Sequence, residues 1–207
     1  MKTRVLVLLL VLSCSFATAQ TARRGYLGIS LGASFPLGAF QEQSFDIDPG
    51  ANATESTSIG LQLSLVHFGY LFTDHVGIAA TWFGAAYPRE SEGRNYELDP
   101  WSCGAIVIGP LFTATLGEKL DLDFRPMIGY SISRGQIQNT TPEPVLQSSG
   151  ALMDLSSILR IHTSEKVSLM ITMDVISTKF KVNPYGSPYE QKIVALSVGG
   201  GIAFRLK

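Results

Sequence analysis

The chain is short of the residues that would staple a small exported fold or give it a metal. It has two cysteines in 207 residues, Cys14 and Cys103. Cys14 lies in a segment that reads as a removable leader, so Cys103 would stand alone. That excludes an intramolecular disulfide and a cysteine-based zinc site. Charge of one sign is missing too: 16 Lys+Arg stand against 17 Asp+Glu, so there is no basic surface for nucleic acid. Beyond the N-terminus no apolar run is long enough for a transmembrane helix. A mature chain of this kind can live in a membrane only as a closed barrel, where every backbone group is paired between strands. The acids Glu42, Asp46, Asp48 and Glu55 lack the Asp-x-Asp-x-Asp-Gly order of a calcium loop and read as solvated loop charge. No metal or cofactor is expected.

The N-terminus reads as a secretory signal over residues 1–19. Lys2 and Arg4 form the charged region, Val5–Leu12 the apolar region, and Ala17-Thr18-Ala19 the small-residue cleavage site. Eight apolar residues cannot cross about 30 Å of hydrocarbon as a helix. Lipidation at Cys14 is the alternative, and Val11-Leu12-Ser13 matches its preceding pattern only in part. Residues 20–207 are then a single domain.

Gly 20 and Pro 10, with no long segment of period 3.6, favour an all-β chain. Period-two alternation marks eight strands: Tyr26–Phe35, Ser58–Phe72, Val76–Tyr87, Ser102–Leu116, Leu120–Ser133, Ala151–His162, Val167–Phe180 and Lys192–Lys207. The second changes phase after Leu65, which predicts a β-bulge near His67. Pro110 and Pro126 interrupt the fourth and fifth, where each removes a ladder donor and calls for a bulge or a local break. Val107 and Leu111 stand out of phase in the fourth. Connections alternate in length, short after Phe72, Leu116 and His162, and long after the odd-numbered strands. An even strand number with short turns at one end and long loops at the other is the pattern of outer-membrane barrels.

The last strand carries the most specific signal. In Lys192–Lys207 the apolar Val194, Leu196, Val198, Ile202, Phe204 and Leu206 alternate with small or polar residues, and Gly201, Phe204 and Leu206 form a Gly-x-x-aromatic-x-apolar ending. With YLGISLGASFPLG at the start and HFGYLFTDHVGIAATW around the first turn, the chain resembles the small eight-stranded outer-membrane β-barrel proteins, of the OmpX-like and OmpA-transmembrane type. The resemblance implies an antiparallel up-and-down transmembrane β-barrel with periplasmic turns and four external loops. It also implies a Gram-negative outer membrane, insertion by the barrel assembly machinery, and a last strand that closes against the first.

Asp121, Asp123, Arg125, Asp154, Arg160, Asp174 and Arg205 all fall on the polar phase. An Arg facing lipid would cost about 2–4 kcal/mol at the bilayer midplane, so these residues are expected to line the lumen as a paired structural network. Asp154 and Asp174 are expected to be neighbours, with Arg125 as their cation. Tyr26, Phe72 and Phe204 at one end, and Trp82, Tyr87, Trp101 and Tyr130 at the other, are read as interfacial girdles. None of the three histidines lies in an external loop, so a loop nucleophile has no base and no catalysis is expected. The function read from the chain is a non-enzymatic, monomeric outer-membrane protein. Its partners would be membrane lipid and a surface ligand or host molecule at the loops. A passive channel for small solutes is the alternative, and a secreted lipocalin-like barrel, apolar inside, is the second.

Overall fold

Strands with one apolar and one polar face are satisfied when the sheet closes on its polar side and turns the apolar one outward. The computed structural model describes residues 25–43, 55–91, 100–136, 145–182 and 189–206, and in it eight strands do this. They are β1 (Gly25–Pro36), β2 (Gly60–Leu71), β3 (Val76–Tyr87), β4 (Trp101–Gly117), β5 (Leu120–Gln136), β6 (Val145–His162), β7 (Val167–Val182) and β8 (Tyr189–Leu206). Each pairs antiparallel with its chain neighbours. β8 closes on β1, with Leu206 opposite Gly25 and Ala195 opposite Pro36. The architecture is the all-β, eight-stranded up-and-down barrel that the alternation predicts.

The three short turns share one end, the turn end, and the long connections share the other, the loop end. Two of those connections are shorter than the sequence suggests. β5 and β6 stay paired out to Gln136 and Val145, and β7 and β8 out to Val182 and Tyr189. Much of Arg134–Ser149 and Lys181–Gln191 is therefore hairpin arm, since a ladder that rises past the barrel wall needs no apolar face. At the same end, Glu42–Gln43, Glu55–Thr57 and Arg89–Ser91 form a small three-stranded sheet. Asp46 and Asp48 lie outside the described residues.

The outer surface is apolar: Ile106, Ile128 and Met153 are 64, 66 and 68 % exposed. Inside, Ser34, Ser64, Asp123, Arg125 and Ser156 are buried. A lipocalin-like barrel would need the reverse. Val107 and Leu111 are out of phase because they point inward, where with Leu152, Ile158 and Ile176 they are fully buried. The lumen is thus filled by aliphatic as well as polar side chains, as its narrow bore requires.

The predicted bulge lies at Leu65. Ser64 pairs with Phe83 and Val66 with Trp82, so Leu65 is the extra residue. The slip turns His67 into the lumen. Pro110 and Pro126, in contrast, need no bulge. The β4–β5 ladder runs from Ser102↔Arg134 to Ile108↔Ile128 and resumes in the same register at Phe112↔Phe124. The two prolines sit opposite one another in that gap, so their missing donors cost one interruption rather than two.

The aromatic girdles require correction. Trp82, Tyr130, Phe72 and Phe204 do face outward. Tyr26, Tyr87 and Trp101 are buried in the interior, because they share the phase of the polar residues; height along the strand placed them in the girdle, but phase decides the face.

Candidate functional site

The lumen is where the chain concentrates its chemistry, in three levels. At the turn end, Asp121 pairs directly with Arg160 across β5 and β6. Arg160 donates from Nε and Nη2 to the two oxygens of Asp123 at 2.8 and 3.0 Å, and its Nη2 lies 3.1 Å from Asp121 Oδ2. Thr113 Oγ1 donates to Asp123 Oδ1 at 2.7 Å. The guanidinium stacks 4.5 Å above the Tyr26 ring. His162 Nε2 meets Asp121 Oδ2 at 2.8 Å, and Nδ1 meets the Ser168 hydroxyl at 2.8 Å. A vestibule of about 290 Å³ opens at this end and is lined by Arg205 among others.

The middle level is built around His67 and Arg125. Arg125 Nη2 donates to Ser156 Oγ at 2.7 Å and to His67 Nδ1 at 3.2 Å. With Nδ1 accepting, the network assigns the ring proton to Nε2, which donates to Ser30 Oγ at 2.7 Å. Asp154 and Asp174 lie at the same level. Arg125, Ser156 and Asp174 are cross-strand partners in one row over β5, β6 and β7, and Asp154 is two residues from Ser156. No direct ion pair joins Arg125 to either carboxylate among the described residues. Arg125 Nε and Nη1 and both Oδ1 atoms have no protein partner, a pattern that ordered water satisfies in buried polar clusters.

From Asp174 a hydrogen-bonded chain climbs toward the loop end. Gln62 Nε2 donates to Asp174 Oδ2 at 3.3 Å, and Ser197 Oγ donates to Gln62 Oε1 at 2.7 Å. Ser34 Oγ meets Ser197 Oγ at 2.6 Å and Tyr87 Oη at 2.8 Å. There the chain meets an aromatic cap. Phe40, on a single turn of 3₁₀ helix at Gly38–Phe40, packs edge-on against Tyr87 at 5.0 Å between ring centroids. Arg89 lies 5.1 Å from the Trp101 ring centre. Phe40, Tyr87 and Trp101 are all within 2 % of full burial.

The structure therefore gathers Asp121, Asp123 and Arg160 into one cluster and Arg125, Asp154 and Asp174 into another, with Arg205 at the vestibule. Gly201 is opposite Ser30 at the seam, and a Cβ there would strike the Ile29 carbonyl. Phe204 and Leu206 face outward. Ala17 and Ala19 lie outside the described residues. Sequence reasoning missed His67, Gln62 and Tyr87 as members of the interior network. For His67 the signal was present, since the apolar run Val66, Phe68, Tyr70 leaves it on the polar face. Among the described residues no group of three or more His, Cys, Asp or Glu is placed to hold a metal ion. His67 has both ring nitrogens engaged, Nε2 by Ser30 and Nδ1 by Arg125 and Thr81.

No protein-family model matches the sequence, and no curated protein matches it. Solved structures do match. The chain is similar to Ail, the attachment invasion locus protein of Yersinia pestis, with a TM-score of 0.55 and 13 % identity over 87 % of this chain and 99 % of that one. It is similar to Neisserial surface protein A, with a TM-score of 0.52 and 8 % identity over 89 and 98 %. A major outer membrane protein from Thermus thermophilus matches with a TM-score of 0.52 and 13 % identity over 88 and 99 %. At these identities the likeness is one of fold: the chain has the architecture of the small outer-membrane barrels.

Proposed function

We propose that the chain is a non-enzymatic, monomeric integral outer-membrane protein of a Gram-negative bacterium, whose external loops make its specific contacts. The observation that carries this reading is the partition of the barrel wall, apolar outside and ion-paired inside, with the interior filled from the Tyr26–Arg160 level to the Phe40–Tyr87 cap. An apolar exterior of this extent is stable only in lipid. A filled bore leaves the loops as the place for recognition. In this orientation the turn end is periplasmic and the loop end external. Residues 1–19 direct export and are removed, and the barrel assembly machinery reads the ending at Gly201, Phe204 and Leu206. Surface contact fits one neighbour: Ail, the attachment invasion locus protein of Yersinia pestis, has been solved in complex with the heparin analogue sucrose octasulfate.

The test is heat-modifiable migration of the membrane fraction. A folded barrel should run faster before boiling than after and should sediment with the outer membrane. Recovery in the periplasm as a soluble species would overturn the reading.

A further inference from the structure

The outward face of β3, β4 and β5 near the loop end carries a groove that the barrel does not need for its own packing. Three cross-strand rows build it. Trp82, Ile106 and Tyr130 form the lowest, then Gly84, Gly104 and Ile132, then Ala86, Ser102 and Arg134. Gly104 of the middle row opens a hollow of about 390 Å³ above Trp82 and Tyr130, with Arg134 at its upper end. Trp82 is 49 % and Tyr130 58 % exposed, so the aromatic walls stand free.

Both glycines lie on the outward phase of their strands, in line with the exposed Trp82 and Ile106: a Cβ on Gly104 meets nothing within 4 Å and one on Gly84 only a carbonyl oxygen at 4.0 Å. Glycine within a strand forfeits packing and backbone entropy, and it marks a place where a ligand or another backbone comes close. Here no backbone comes close, so the space is open to something outside the chain.

Height identifies the occupant. Trp and Tyr girdles mark the edge of the hydrocarbon. Arg134 lies four residues beyond Tyr130, about 13 Å along the strand and about 10 Å higher after tilt, which brings its guanidinium to headgroup level. Among the described residues no carboxylate pairs with it. An apolar hollow under an exposed guanidinium complements a lipid whose acyl chain leads up to a phosphate, the group that Arg binds best with its planar fork.

We infer that this groove binds the phosphorylated glycolipid of the outer leaflet, one acyl chain lying over Gly84 and Gly104 and a sugar phosphate on Arg134. The inference rests on the outer-membrane reading above, and the experiment separates the two.

The mature protein is folded in detergent, checked by heat-modifiable migration, and titrated in native mass spectrometry with bis-phosphorylated hexa-acyl lipid A, its dephosphorylated form, or phosphatidylethanolamine. Wild type should retain the bis-phosphorylated lipid at least about tenfold better than either other lipid. Arg134→Gln should abolish that preference. Gly104→Leu, which fills the hollow without touching the backbone, should weaken all acyl-chain retention at this face. Equal retention of the three lipids by wild type, or unchanged retention by folded Arg134→Gln and Gly104→Leu, would overturn the inference. Failure of wild type to give a heat-modifiable barrel would instead overturn the membrane reading.

Discussion

The Asp123–Arg160 pair offers the sharpest test of the ion-paired interior. Its side chains are 0 and 7 % exposed, and two charge-assisted bonds of 2.8 and 3.0 Å join them. Removing one partner of a buried pair costs about 3–5 kcal/mol, because the other charge is stranded. The two single variants should differ within that range. In Asp123→Asn, Arg160 keeps Asp121 at 3.1 Å, so the loss should sit near the lower end, about 3 kcal/mol. In Arg160→Gln, the Asp123 carboxylate loses its cation and keeps the Thr113 hydroxyl as donor, so the loss should approach about 5 kcal/mol. The double variant strands neither charge and should cost less than the sum, with a coupling of about 2–3 kcal/mol. A loss of about 3 kcal/mol is on the order of a hundredfold in the folding equilibrium. Guanidinium unfolding in phospholipid vesicles, followed by tryptophan emission, reads all four species. Single variants within about 0.5 kcal/mol of wild type, as for surface substitutions, would refute the argument.

Other perturbations probe different parts of the wall. Ile128→Arg, at the centre of β5 and facing outward, should destabilise the barrel in vesicles by about 2–4 kcal/mol, while Lys119→Arg in an exposed turn should change it by less than about 0.5 kcal/mol. Gly201→Ala would drive a Cβ into the Ile29 carbonyl and Ser30 of β1, so it should cost about 1–3 kcal/mol. Gly104→Ala, with open space around it, should be neutral or gain about 0.5–1 kcal/mol, and the two can be ranked by midpoint in the same unfolding assay. Cys103 is 2 % exposed, so a maleimide should leave the native barrel unlabelled and react fully once it is denatured.

The faces of the barrel were legible because lipid outside and a polar interior impose opposite demands on successive residues. That is why the charged residues Asp123, Arg125, Asp154, Arg160 and Asp174 could be assigned to the lumen by phase alone. Heights along the strands placed Asp154, Asp174 and Arg125 at one level, where the ladders set Arg125, Ser156 and Asp174 in one row. The contacts themselves were not legible: Arg160 meets Asp121 and Asp123 directly, whereas no direct ion pair joins Arg125 to Asp154 or Asp174 among the described residues. Tyr26, Tyr87 and Trp101 were misplaced for a related reason: an aromatic ring suits either a membrane interface or a plug, and only its phase distinguishes them. His67 depended on the position of one bulged residue, Leu65, which alternation located only to the neighbourhood. The aromatic cap hinges on Phe40, in a segment that reads as a polar loop, and nothing local reveals that its ring folds back over Tyr87. The two prolines looked like defects in separate strands and became one shared gap when Pro110 and Pro126 were set face to face.

The most direct test of a filled, membrane-embedded barrel is single-channel recording of the mature protein in a planar bilayer. The protein should insert, as verified by heat-modifiable migration of the same preparation, with no sustained conductance above the bare membrane. A stable, open conductance from folded protein would contradict the filled barrel and would establish the channel reading in its place.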